Sequence, residues 1–139
     1  MLQGIRRTSE PGTIAALHAQ ALAEHGRHSS VAAITEGWQD LPHTRFRVAE
    51  EAGTPIAFLA YREEEGGSCH ISDLFVCHSR RRRGLARRLL QMVTDDFATI
   101  SLHVASDNLP ACYLYRRMGF VATGHCDQAG RSRLVISRH

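Results

Sequence analysis

Lysine is absent. All 17 basic residues other than histidine are arginine, set against 14 acidic residues for a formal charge of +3. Without a lysine amine, Schiff-base nucleophilic chemistry is excluded. Arginine instead supplies planar forks suited to phosphate oxygens. No apolar run reaches the length of a membrane span, and the opening MLQGIRRTSEPG has neither a signal core nor a cleavage pattern. The expected location is cytoplasmic, with no membrane partner. Only four cysteines occur (Cys69, Cys77, Cys112 and Cys126), and none forms a CxxC pair. Their spacing matches no structural zinc site, so no metal is predicted. A chain of 139 residues builds a core without disulfides, and the cysteines are expected as free thiols in a reducing compartment.

What is present reads as one folded domain over residues 1–139. Apolar residues make up 43% and charged residues 22%, outside the disordered range. A strand is predicted over residues 2–8, then a helix opening at Ser9-Glu10-Pro11 and closing at Gly26. A second helix runs to Leu41, with Ser30 as cap, with Val31, Ile34 and Trp38 on one face, and with Pro42 as stop. Phe46 and Val48 alternate in a strand, and 51–55 is a turn. Residues 56–62 form a strand apolar enough to be central. An acidic loop over 63–67 precedes a strand over 69–77. Leu85, Leu89, Leu90 and Val93 mark the buried face of a helix reaching residue 97. A strand over 100–104, a helix over 108–118 stopped by Gly119, and strands over 120–123 and 132–137 complete the order β-α-α-β-β-β-α-β-α-β-β. The class is α/β (α+β), with a mostly antiparallel sheet.

Chemistry concentrates first at VCHSRRRRGLA, residues 76–86. A strand ends, a basic turn follows, and a helix begins at Gly84. The first amides of a helix have no internal acceptors and favour an anion. Gly84 and Ala86 leave room for a phosphate near the backbone. A solvated charge run and a nucleic-acid patch are the competing readings. Four arginines form a small footprint that no basic or aromatic stripe extends, so no nucleic-acid partner is predicted. Neither GxxxxGK[ST] nor GxGxxG occurs, which sets aside the P-loop and the dinucleotide fingerprint.

Arg81-Arg82-Arg83-Gly84-Leu85-Ala86 resembles the pyrophosphate-binding signature of the GNAT N-acetyltransferase superfamily: Gln or Arg, two residues, Gly, one residue, Gly or Ala. The preceding ISDLFV resembles that family's central strand. LHVASDNLPACYLYRRMGF, residues 102–120, resembles its second cofactor motif. His78 stands where the family usually has proline. The resemblance implies a GNAT-like fold, a mixed central sheet with a splayed strand pair and about four helices. It also implies acetyl-CoA (coenzyme A) as cofactor. Leu74, Phe75 and Val76 would run beside the pantetheine arm. Arg81, Arg82, Arg83, Gly84, Leu85, Ala86 and Arg87 would cradle the pyrophosphate, and Asn108 would touch the cofactor arm.

The same resemblance places Tyr115 near the coenzyme A sulfur as general acid. SDLFV resembles the EDLFV pattern of polyamine and small-amine acetyltransferases, with Ser72 in place of the glutamate and Asp73 at the matching aspartate. The base is then left to a water chain ordered by Asp73, Ser72 or His70. On a regular strand His70 and Ser72 share a face and Asp73 takes the other, unless a bulge intervenes. Helices near the N-terminus wall the acceptor site in this family. That region holds His25, His28, Glu36, Trp38, Gln39, Asp40 and His43. Glu36 and Asp40, four apart, share a helix face. Trp38 is a candidate acceptor wall, though core is its commoner role. The implied activity is transfer of acetyl to a primary amine of a small molecule or amino acid. A peptide amino-terminal acetyltransferase and a non-catalytic acyl-CoA sensor are the alternatives. A homodimer is allowed, with the final strand, 134–137, as its candidate pairing edge.

Overall fold

A computed structural model of the chain describes residues 4–24, 26, 29–39, 41 and 43–137. Its strands are β1 (Gly4–Thr8), β2 (Thr44–Glu51), β3 (Thr54–Glu64), β4 (Ser68–Val76), β5 (Thr99–Val104), β6 (Val121–Cys126) and β7 (Ser132–Ser137). Its helices are α1 (Ala15–Glu24), α2 (Val31–Gln39), α3 (Leu85–Asp96) and α4 (Leu109–Met118). The strands form one sheet in the order β1-β2-β3-β4-β5-β7-β6. Every pairing is antiparallel except β4 with β5. Among the described residues, no helix is long and apolar enough to cross a membrane.

The expected order of elements is observed, and β3 is central as its unbroken apolar run requires. Ile56 to Tyr61 are all buried because both faces of β3 are covered. Ala57, Leu59 and Tyr61 join the core under α3, together with Leu85, Leu89, Leu90 and Val93. Phe58 and Ala60 join a second core under α1 and α2, with Ile14, Leu17, Ile34 and Trp38. Leu89 and Leu90 are fully buried, each contributing about 1.5–3 kcal/mol by burial alone. Arg47 is buried on β2, and its charge is not left alone. Its Nε–H donates to Tyr61 Oη at 3.2 Å, and its terminal N–H donates to Asp96 at the end of α3.

Several boundaries differ from expectation. The β2–β3 turn narrows to Ala52 and Gly53, both at positive φ, and strand pairing claims the flanking residues. Glu63 and Glu64 likewise extend β3, where they pair with Cys69 and Ser68. Ser30 does cap α2, its Oγ accepting from the Ala33 N–H at 3.1 Å. Val31, however, is 49% exposed and does not share the buried face of Ile34 and Trp38. Side chains lean toward a helix N-terminus, so Val31 at the first position overhangs the end. The final strand is not an edge: β7 lies between β5 and β6, leaving β6 and β1 outermost. Residues 2 and 3 of the predicted first strand, His25, His28, Asp40 and Pro42 lie outside the described residues.

Between α1 and α2, the Trp38 indole N–H donates to His18 Nδ1 at 3.0 Å. That bond needs an unprotonated Nδ1, and burial holds His18 below its ordinary value of 6.5. The unfolded chain therefore takes up a proton near pH 6.5 that the folded chain refuses, and stability falls as pH drops below that point. Urea unfolding at pH 8 and pH 5.5 is expected to show a gap in stability that shrinks in His18→Leu. An equal gap in both proteins would contradict this account.

Candidate functional site

The sheet is parted at one place. β4 and β5 pair only from Ser68 with Thr99 to Ile71 with Leu102. Beyond Ile71 the two strands diverge, and the second half of β4 faces an open cleft. The divergence coincides with a bulge against β3. Tyr61 pairs with Ile71, but the next residue, Ala60, pairs with Asp73, so Ser72 is the extra residue. The effect on side chains is direct. Cys69 and Ile71 lie in the core under α3, and Leu74 and Val76 pack against that same core. A regular strand would have put Ile71 and Leu74 on opposite faces. The bulge thus turns Asp73 to the α1–α2 side with Phe75, which packs against that core. Ser72 Oγ donates to the Ala60 carbonyl at 3.3 Å.

Asp73 is lifted from the ordinary carboxylate range to about 6. Burial is the main cause, offset in part by Arg131 and by a hydrogen bond from Ser72. Tyr115 approaches from α4. Its ring is buried, packed at 5.6 Å from Phe120. Its proton is held up to about 12, first by burial, then by Cys112 and by the charge of Asp73. At neutral pH the Tyr115 phenol keeps its proton while the Asp73 carboxyl can accept one, a separation of acid and base imposed by environment.

At the C-terminal end of β4, a short turn of 3-10 helix over His78–Arg80 leads into α3. Arg82 and Gly84 both take left-handed backbone conformations, with φ of 64 and 77. For arginine this costs about 1–2 kcal/mol, so the turn is held by what surrounds it. Arg80 forms two hydrogen bonds to Glu51, at 2.8 and 3.1 Å, which hold that carboxyl at about 2. Arg81 donates to Glu24 at 2.6 Å and to the Val76 carbonyl at 3.0 Å, and its guanidinium lies over Phe75. Two of the four arginines over 80–83 are thus engaged as struts, while the other two, Arg82 and Arg83, are exposed, as is Arg87 in the first turn of α3. Gly84 caps α3, and a Cβ placed on it would meet no atom within 4 Å. The Arg88 N–H is the first to bond back, to the Gly84 carbonyl at 3.0 Å. The amides of Leu85, Ala86 and Arg87 precede that bond and have no acceptor within the helix. An anion with several oxygens fits this arrangement.

The remaining predicted residues fall around this cleft or apart from it. Asn108 caps α4, accepting from the Ala111 N–H at 3.4 Å. Glu36 is exposed on α2, and Trp38 is buried against Phe46 and His18. Trp38 also lines a concavity of about 190 Å³ with Pro11, Leu41 and Phe46. A groove of about 410 Å³ beside Leu17, Pro55, His78 and Arg80 flanks the arginine turn. Neither hollow includes Asp73 or Tyr115. Among the described residues, no group of three His, Cys, Asp or Glu side chains is placed to hold a metal. Three residues near the cleft were missed: His103, Arg131 and Arg133. Period-two alternation carried a signal for His103, which interrupts the apolar residues Leu102 and Val104. Arg131 and Arg133 had none, since only the sheet order brings β7 beside β5.

The profile of the Acetyltransferase (GNAT) family matches residues 13–120. The chain belongs to the GNAT acetyltransferase family. It is 31% identical over 116 residues to mycothiol acetyltransferase from Clavibacter michiganensis subsp. michiganensis, a match covering 76% of this chain and 37% of that protein. The chain thus spans little more than a third of that curated relative. The structure of YncA from Salmonella typhimurium with its cofactor acetyl-CoA superposes with a TM-score of 0.74 at 17% identity, covering 100% of this chain and 96% of that one. An acetyltransferase from Thermus thermophilus gives 0.76 at 16% identity, covering 96% and 97%. At these identities the two structures establish the shared GNAT fold.

Because Ser72 and Arg131 both favour the ionised form of Asp73, removing either is expected to raise its titration midpoint above about 6. Carbon-13 NMR of the Asp73 carboxyl in Ser72→Ala and Arg131→Gln measures this. A midpoint that stays put or falls would refute the arrangement.

Proposed function

We propose that this GNAT acetyltransferase moves the acetyl group of acetyl-CoA to a primary amine of a small molecule, by direct attack in a ternary complex. The observation that supports this reading is the parting of β4 from β5 beyond Ile71, with Asp73 just past that level and Tyr115 on α4 both holding their protons more tightly than usual. The cofactor supplies an acetyl thioester. The α3 amides from Leu85 to Arg87, with Arg82 and Arg83 beside them, suit its pyrophosphate, and the left-handed Gly84 keeps the approach clear. The freed backbone of Leu74, Phe75 and Val76 borders the cleft, and Asn108 opens the helix on its far side.

Asp73 takes the proton of the incoming amine, directly or through a water held by Ser72. A carboxylate raised to about 6 is ionised at neutral pH yet basic enough for this step. Tyr115 Oη keeps its proton until a departing thiolate needs one. The role of Ser72 is to steady Asp73, since a hydroxyl is no base unaided.

A thiol-release assay with acetyl-CoA and a panel of small amines, amino acids and peptides tests the reading. Tyr115→Phe is expected to lower turnover about 10²–10⁴-fold with little change in acetyl-CoA affinity. Unaltered turnover would remove Tyr115 from the reaction. In calorimetry, Gly84→Val is expected to weaken acetyl-CoA binding tenfold or more, and Arg82→Gln by far less. Equal affinity in Gly84→Val and the parent would mean the cradle lies elsewhere.

A further inference from the structure

The sheet face beside the cleft carries a basic row that the transfer step leaves unused. His70 on β4 lies opposite Arg62 on β3 and, across the parallel pair, opposite Ser101 on β5. One pairing beyond Leu102, His103 on β5 lies opposite Arg133 on β7. Their strand neighbours Ile71, Leu102 and Leu134 belong to the core under α3. The row therefore occupies the opposite face, on the side to which the bulge turns Asp73. Side-chain contacts agree with the register. His70 Nδ1 lies 2.8 Å from Ser101 Oγ, and the His70 and His103 rings are 5.3 Å apart. Arg62, His103 and Arg133 all act on His70, opposed by Glu64.

Carboxylates answer only part of this charge. Glu64 lies 3.7 Å from Arg62, and Asp127 pairs with Arg131 at 2.8 Å. Arg133 is half-buried, and among the described residues it has neither an ion pair nor a hydrogen bond. A partly desolvated guanidinium beside two imidazoles favours an anion from outside the chain. Asp73 lies two residues beyond Ile71 and His103 one beyond Leu102, so both stand just past the level at which β4 and β5 stop pairing.

We propose that Arg133, with His103 opposite it and His70 beside His103, is an anion subsite for the acceptor, which is an amine carrying a carboxylate or phosphate. The amine end is held near Asp73 and the anionic end lies on the row. This rests on the reading of the cleft as an amine acetyltransferase site.

Matched acceptors provide the test: glycine with glycinamide, 6-aminohexanoate with 6-aminohexanamide, and O-phosphoethanolamine with ethanolamine. An anionic member is expected to exceed its neutral partner at least tenfold in kcat/KM. Arg133→Gln is expected to raise KM for that acceptor about tenfold and bring the ratio toward one, with Arg133→Lys recovering part of it. The carboxylate and phosphate pairs separate the two anion types. Neutral partners that serve equally well, or an Arg133→Gln loss equal for both members, would overturn the proposal. Should no amine turn over, the acetyltransferase reading itself fails, and binding decides the subsite independently. In the coenzyme A-saturated protein, inorganic phosphate or 6-aminohexanoate is expected to shift the His70 and His103 imidazole resonances, and Arg133→Gln to abolish the shift. No shift in the parent protein would also overturn it.

Discussion

One extra residue in β4 sets the geometry on which the site depends. Ser72 has no counterpart on β3, and from that point the strand changes which face its side chains present. A bulge bends and twists its strand, and here the parallel neighbour β5 stops pairing at the same level. The separation leaves β4 backbone without a β5 partner, and such groups seek hydrogen bonds elsewhere. A cofactor with amide groups of its own is the kind of molecule that meets this need. The bulge also turns Asp73 away from the α3 core, to the α1–α2 side with Phe75.

Around this opening, charge is handled in two ways. Arg47, Arg80 and Arg81 are struts: each is tied to a carboxylate and fixes one element against another. Arg47 holds β2 to the end of α3. Arg80 holds the β2–β3 hairpin to the turn before α3, and Arg81 holds that turn to α1. Arg82 and Arg83 are exposed at the tip, where neighbouring residues keep the turn in a backbone shape that favours anions. Asp73 and Tyr115 follow a different logic. Both are buried enough that their charged forms are disfavoured, and the charge of Asp73 raises the proton affinity of Tyr115 further. The result is a donor and an acceptor that stay distinct at neutral pH.

Much of this was legible in local pattern. Leu85, Leu89, Leu90 and Val93 recur at helical spacing and are buried as that spacing requires. The apolar run from Ile56 to Tyr61 announced a central strand. The step from strand to basic turn to Gly84 marked a helix N-terminus, and Gly84 does cap α3. The errors arose where pattern stops short of geometry. Val31 satisfied the helical period but sat at a helix end that nothing covers. The final strand looked free to pair outward because strand order cannot be read from strand sequence.

Sequence alone determined the elements, their order and the family, since propensity, periodicity and motif spacing are properties of neighbours along the chain. Tertiary structure decided which side chains meet. The face taken by Asp73 depends on a bulge defined only against β3, and the approach of Tyr115 depends on how α4 packs. The row of Arg62, His70, His103 and Arg133 comes from four strands that hydrogen bonds place side by side. Those pairings join residues distant in sequence, and the register that aligns them is set across strands.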